Sequence, residues 1–172
     1  MEEQMIYIDC DGVILDSEER MLIRKELAGF PDHKNEQQFS DYFEYTKQHP
    51  EEWDKIIREA HSINESVEII KKLEILKKKI AILTKIHTLY EMQTKVDDLR
   101  IHRKLMIPII FVPPGVKKHE VIIPNNNLLI DDSKKNIEEW IKNGGQGLLF
   151  DKTLKKDEIA KVRSLKLLLG GK

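Results

Sequence analysis

Cysteine is almost missing from this sequence: Cys10 is the single example in 172 residues. One thiol cannot close an internal disulfide, so a packed core must hold the fold, and a reducing, cytoplasmic compartment is expected. Long apolar runs are missing too, and nothing approaches the ~20 residues that a membrane-spanning helix needs. The acidic start (Glu2, Glu3) lacks the basic stretch and apolar run of a secretory signal. An excess of one charge is absent: 29 basic residues face 30 acidic ones, a formal net charge of -1. That balance gives no global electrostatic case for a nucleic-acid or membrane partner. The six histidines are scattered without metal-ligand spacing. Internal repeats and low-complexity segments are also lacking. What is present, 40% hydrophobic and 34% charged residues, suits one compact domain with room for an insertion.

Short apolar, β-prone runs alternate with helical patterns. Met5 to Ile8, Ile80 to Leu83, Pro108 to Val112, Leu128 to Ile130 and Gly147 to Phe150 read as five buried strands. Asn64 to Lys79 reads as a helix, with Val67, Ile70, Leu73 and Leu76 at helical spacing. Leu89, Met92, Val96 and Leu99 trace a second helical stripe, and Ile137, Trp140 and Ile141 a third. The lysine-rich tail from Lys155 to Leu169 reads as a helix with a solvated face. Between the first two strands, from Ser17 to about Asn64, the chain is polar and helical, punctuated by Pro31 and Pro50. The expected fold is α/β: a doubly wound, Rossmann-like parallel sheet, residues 1–16 and 67–172, with a small helical cap, residues 17–66, inserted after strand one.

Ligands of open parallel sheets bind beyond the carboxyl ends of the strands. Here those ends carry Asp9 and Asp11 after the first strand, Thr84 after the second, and Asp131 with Asp132 after the fourth. Lys117 and Lys118 lie in the loop between the third and fourth. Carboxylates gathered this closely repel one another unless a cation sits among them, and magnesium takes such hard oxygen ligands. A hydroxyl and an ammonium facing the same place suit an anionic phosphate. The two-residue step from Asp9 to Asp11 keeps both carboxylates on one side of a continued strand. One can then attack phosphorus while the other handles the proton. Gly12 allows the sharp turn that follows.

At these residues the sequence resembles the haloacid dehalogenase superfamily of phosphatases. Asp9-Cys10-Asp11-Gly12-Val13 is similar to its first motif, Ile82-Leu83-Thr84 to its second, Lys117 or Lys118 to its third, and Leu129-Ile130-Asp131-Asp132-Ser133 to its fourth. The resemblance implies a magnesium-dependent hydrolase of a small-molecule phosphomonoester. In it Asp9 is the nucleophile and a metal ligand, and Asp11 is the general acid/base and also contacts the metal through its backbone carbonyl. Asp131 binds magnesium and Asp132 supports the site from close by. Thr84, Lys85 and Lys118 contact phosphate. A narrower resemblance is to the 5′(3′)-deoxyribonucleotidases, carried by Leu129-Ile130-Asp131-Asp132, Asn136-Ile137, Gly145 and Gly147 to Asp151. It implies a nucleotide substrate, and it gives the helical insertion its place as a cap. Lys85 stands where that family more often has a small residue.

Each signal has a plainer reading. Asp-Gly is a common turn dipeptide, and Asp131 to Ser133 can cap the following helix. Lys117 and Lys118 are two of 29 basic residues. Six of the eleven aromatics (Phe30, Phe39, Tyr42, Phe43, Tyr45 and Trp53) fall in the insertion; most are expected to form its own core, though a base could stack on some of them. Cys10 is expected to pack into the core. The alternatives kept open are a phosphatase for sugar phosphates, other small phosphomonoesters or polynucleotide end phosphates; a receiver-like phospho-accepting signalling domain; and a non-catalytic binding protein.

Overall fold

The computed structural model describes residues 4–155 and 160–170. Six parallel strands form one sheet: β1 (Ile6–Ile8), β2 (Ile80–Lys85), β3 (Ile109–Val112), β4 (Leu128–Asp131), β5 (Gln146–Phe150) and β6 (Lys161–Val162). Their order is β3-β2-β1-β4-β5-β6. The chain leaves β1 to build one half of the sheet and returns beside β1 to build the other. The crevice between β1 and β4 is therefore the switch point where open sheets of this kind take their ligands. The helices are α1 (Ser17–Leu27), α2 (Glu36–Gln48), α3 (Glu51–Arg58), α4 (Ser66–Ile75), α5 (Leu89–Asp97), α6 (Lys118–Val121) and α7 (Lys134–Lys142).

Side chains alternate across the sheet, so its two faces draw on alternate residues. Ile8, Ile80, Ile82 and Ile130 pack on one side with Val67, Ile70 and Leu73 of α4. Tyr7, Ala81, Leu83 and Leu129 pack on the other with Ile137 and Trp140 of α7. Cys10 is fully buried in the first cluster, as its flanking residues suggested. Helices α2 and α3 bury Tyr42, Trp53, Ile56 and Ile57 in a cluster of their own, with Phe30, Phe43 and Tyr45 against it. Phe39 lies under the Lys25 ammonium, 4.7 Å from Nζ. Most of the insertion's aromatics thus serve its core. Among the described residues, no helix is long and apolar enough to cross a membrane.

Three features differ from the sequence expectations. The helix expected from Asn64 begins only at Ser66, because Asn64 and Glu65 take left-handed backbone angles (φ 46° and 62°). The tail is not one helix. Its described part is β6 followed by a 3₁₀ turn at Leu165–Leu169, and residues 156–159 lie outside the described residues. The free edge of β5 captures the tail: Leu149 N–H donates to Ala160 and Asp151 N–H to Val162. Val162 and Leu165 join the core there, and that burial outweighs the helical spacing. On α5, Leu89 is 76% exposed while Glu91, Thr94 and Lys95 turn inward, as do Asp98 and Leu99 in the helical turn that follows. The buried face is largely the polar one, for reasons given by the site below.

Trp140 is fully buried; its indole N–H donates to the Asn127 carbonyl at 2.9 Å, and its ring meets Tyr7 edge-on at 5.5 Å. Trp140→Ala is expected to lower unfolding stability by about 3–5 kcal/mol in urea denaturation. A loss under about 1 kcal/mol would show that α7 is not anchored to the sheet through this ring.

Candidate active site

The register of the sheet sets the first pair. Ile8 of β1 stands beside Ile130 of β4, so Asp9 and Asp131 follow on adjacent strands, and Asp9 N–H donates to the Ile130 carbonyl. Asp9, Asp131 and Asp132 each offer a carboxylate oxygen, and these lie within 4.8 Å of one another. Asp9 and Asp131 are buried. Burial, followed by the neighbouring carboxylates, raises Asp9 to about 7 even though Lys118 opposes the shift. Burial and the charges of Asp9 and Glu18 raise Asp132 to about 8. Three hard oxygen donors on a tight cluster with surplus negative charge fit a magnesium ion.

The turn after β1 brings in Asp132. Gly12 has φ +74°, and a Cβ built there would come within 2.1 Å of Asp132 Oδ2. The glycine therefore serves both the backbone turn and the approach of the fourth-strand carboxylate.

Asp11 faces a different set of partners. Its Oδ1 accepts from Ser17 Oγ at 2.5 Å. Its Oδ2 accepts from Lys95 Nζ at 2.6 Å and from Thr84 Oγ1 at 3.2 Å. Burial alone would raise its pKa, but the Lys95 charge and these three donors outweigh burial and hold it below the ordinary carboxylate value. Its carboxylate is not in the Asp9–Asp131–Asp132 cluster. Asp132, expected in a supporting place, is within the cluster instead.

The adjacent lysines separate cleanly. Lys118 is 2% exposed, with Nζ 2.9 Å from Asp9 Oδ1 and 2.6 Å from Asp131 Oδ2. Burial alone would lower its pKa, but those two carboxylates raise it, so it stays charged. Lys117 points outward to Glu139 at 2.9 Å. Lys85 Nζ donates to Asn136 Oδ1 at 3.1 Å, and Asn136 Nδ2 donates to both Asp131 oxygens at 3.1 Å. Ser133 caps α7 and its N–H also holds Asp131 Oδ1 at 2.8 Å.

Four site residues escaped the sequence reading as such: Ser17, Glu91, Lys95 and Asn136. Ser17 reads only as a helix start and Asn136 only as part of a resemblance. Glu91 and Lys95 carry one signal, an (i, i+4) acid–base pair on the face of α5 that also bears Thr94. Charged residues on a helix normally face water, which hides the pattern.

A cavity of about 320 Å³ opens over Asp9 and Asp11. Lys85, His87, Glu91, Asp132 and Asn136 line it from the sheet side, and Met21, Phe43, Trp53, Ile56 and Ile57 from the insertion. His87 stacks on Phe43 with ring centres 4.2 Å apart and planes 14° from parallel. Trp53 lies 10° from parallel to the same imidazole at 5.8 Å. The hydroxyl of Thr84 and the ammonium of Lys118 are buried behind the cavity wall.

No protein-family model matches the chain, and no curated protein matches it significantly. Solved structures do. A haloacid dehalogenase-like family hydrolase from Streptococcus pneumoniae superposes with a TM-score of 0.63 at 20% identity, over 87% of this chain and 85% of that one. A HAD hydrolase of family IA, variant 3, from Entamoeba histolytica gives 0.63 at 10% identity, over 89% and 86%. The HAD-hydrolase YfnB from Bacillus subtilis, bound to magnesium, gives 0.63 at 13% identity, over 99% and 98%. At these identities the likeness is one of architecture, and the architecture of this chain is that of the haloacid dehalogenase-like hydrolases.

Proposed function

We propose that the protein is a magnesium-dependent phosphomonoester hydrolase that works through a phospho-aspartate on Asp9, with nucleoside monophosphates as its substrates. The observation that carries this reading is the division of labour between two aspartates two residues apart. Asp9 lies against Lys118 and the metal-type carboxylate cluster, while Asp11 is held apart by Ser17, Thr84 and Lys95. A turn alone needs neither arrangement. The Bacillus subtilis neighbour is bound to magnesium, which supports the same choice of metal for a site on this architecture.

When bound, magnesium supplies positive charge that lets an anionic carboxylate approach an anionic phosphate. The chain's residues do the rest. An Asp9 oxygen bonds to phosphorus as the ester oxygen departs, and Asp11 relays to that oxygen the proton that the phosphate monoanion of the ester brings. Water then attacks the phosphoryl group and loses its proton to Asp11. Phosphate leaves with that proton, Asp9 and Asp11 are both restored as carboxylates, and the next ester brings the proton that Asp11 relays. Lys118 balances charge on Asp9 throughout, and Thr84 fixes Asp11 from the neighbouring strand. Helices α1–α3 act as a cap that excludes bulk water.

The cavity wall supports the nucleotide reading. Phe43, Trp53 and His87 present nearly parallel rings, a surface that suits a flat base at about 1–3 kcal/mol per stacked ring. The described lining sets the acidic residues Asp9, Asp11, Glu18, Glu91 and Asp132 against one lysine, Lys85, which disfavours a second phosphate. The resemblance to 5′(3′)-deoxyribonucleotidases points the same way.

A phosphate-release screen with magnesium is expected to show nucleoside monophosphates turned over faster than diphosphates or sugar phosphates. Asp9→Asn is expected to lower kcat by about 10³-fold or more, as loss of a covalent nucleophile does elsewhere. Phe43→Ala is expected to raise KM for nucleotides roughly tenfold while leaving sugar phosphates unchanged. Activity surviving Asp9→Asn removes the mechanism, and turnover confined to sugar phosphates removes the substrate class.

The raised pKa values of Asp9 and Asp132, about 7 and about 8, also make a stability prediction. Between the ordinary carboxylate value and those values the folded state holds protons that the unfolded chain has released. Stability in a chelator is therefore expected to fall as pH rises from about 5 to about 8. Magnesium at pH 8 is expected to restore it, with each kcal/mol moving the melting temperature by about 2–4 °C. A melting temperature at pH 8 that ignores magnesium contradicts the metal assignment.

A further inference from the structure

Lys95 is a fully buried charge at the site that the proposed chemistry leaves without a task. It is fully buried in the middle of α5, where a helix normally shows lysine to water. An ammonium has three hydrogens to donate. Lys95 Nζ lies 2.6 Å from Asp11 Oδ2, 2.7 Å from Glu91 Oε1 and 2.9 Å from the Lys85 carbonyl, with Thr84 Oγ1 at 3.3 Å. Those three short contacts use the full donor set, so the ammonium cannot turn to another partner.

Glu91 completes the arrangement. It is 2% exposed, and its other oxygen accepts from the His87 backbone N–H at 2.6 Å and lies 3.1 Å from His87 Nδ1. Its negative charge lets the ammonium remain buried, and its grip on His87 ties the pair to the ring stacked on Phe43 of the insertion. Asp11, by contrast, sits on the turn after β1, before a glycine with φ +74°, and its side chain is 27% exposed. Nothing in the local backbone fixes its rotamer. Its Oδ2 is held by Lys95 and Thr84 and its Oδ1 by Ser17, so groups from β2, α5 and α1 meet on one carboxylate.

We infer that Lys95 is a positioning residue for the proposed reaction: held by Glu91 and the Lys85 carbonyl, it fixes the Asp11 carboxylate in the orientation from which the proton is delivered. The inference rests on the phosphomonoesterase reading for its kinetic consequence, but its geometric content stands apart from it. A well-placed general acid contributes about 10²–10⁴-fold where the leaving group is a poor one. A group that orients the acid should matter for alkyl esters and matter little for an aryl ester whose leaving group needs no proton.

The test compares Lys95→Met with the double variant Lys95→Met/Glu91→Leu, which removes both charges and leaves no carboxylate of the pair unpaired. Turnover of glycerol phosphate and of p-nitrophenyl phosphate is measured with magnesium, and the crystal structure of the better-folded variant is determined. The expected result is a loss of about 10²-fold or more in kcat for glycerol phosphate, less than about tenfold for p-nitrophenyl phosphate, and little change in KM. The Asp11 carboxylate is expected to turn away from Thr84 in the variant. Equal losses on both esters, or no loss on either, overturn the kinetic role. An Asp11 side chain that keeps its place without Lys95 overturns the inference even if the protein hydrolyses no ester at all. A wild-type protein inert towards every ester refutes the proposed function instead, so the two failures are distinguishable.

Discussion

Four aspartates gather at the carboxyl ends of β1 and β4, and the fold must hold them there against their mutual repulsion. Two buried lysines divide the burden. Lys118 bridges Asp9 and Asp131, and Lys95 takes Asp11 with the help of Glu91. Asp132 has no such partner among the described residues and rises to about 8, which marks where compensating charge is short. Bringing several carboxylates out of water costs several kcal/mol each unless hydrogen bonds and opposite charge offset it. The polar inner face of α5, the one-turn helix that aims Lys118, and the Asn136 side chain beneath Asp131 all follow from that requirement.

This constraint also explains why the two aspartates of the first turn differ so much in environment. Asp9 continues β1 into the crevice at the switch point, beside the fourth strand's carboxylates. Asp11, past the strand end, meets hydroxyls and an ammonium from three other elements. The first is raised to about 7 and the second is held below the ordinary range. Asp9 is short of compensating charge, which a cation would supply, whereas Asp11 is already compensated by Lys95 and its hydroxyl donors.

Much of this was legible in the sequence, for identifiable reasons. Five strands announce themselves as short apolar runs that stop at polar residues, and the strand-end rule places Asp9, Thr84 and Asp131 near one another before any coordinates. The sixth strand does not, because β6 exists only through the edge of β5, and a two-residue strand has no periodicity to read. Lys117 and Lys118 are equivalent in sequence; only the turn of α6 sends one to Glu139 and the other to Asp9. Lys95 is hidden more deeply, since hydrophobic spacing on α5 favours the Leu89 face and a charged residue reads as solvent-facing. The step from Asp131 to Asp132 also eluded spacing arguments: the second carboxylate joins the cluster because Gly12 leaves it room.

A single cation shared by the carboxylates of Asp9, Asp131 and Asp132 is the claim on which the functional account turns. Anomalous diffraction from a crystal soaked in manganese, which substitutes for magnesium at oxygen-ligand sites, locates that cation directly. The account predicts one strong peak bridging the three carboxylates at the mouth of the β1–β4 crevice. No peak there, or one only at surface acids with Asp132 turned away from Asp9, would contradict it.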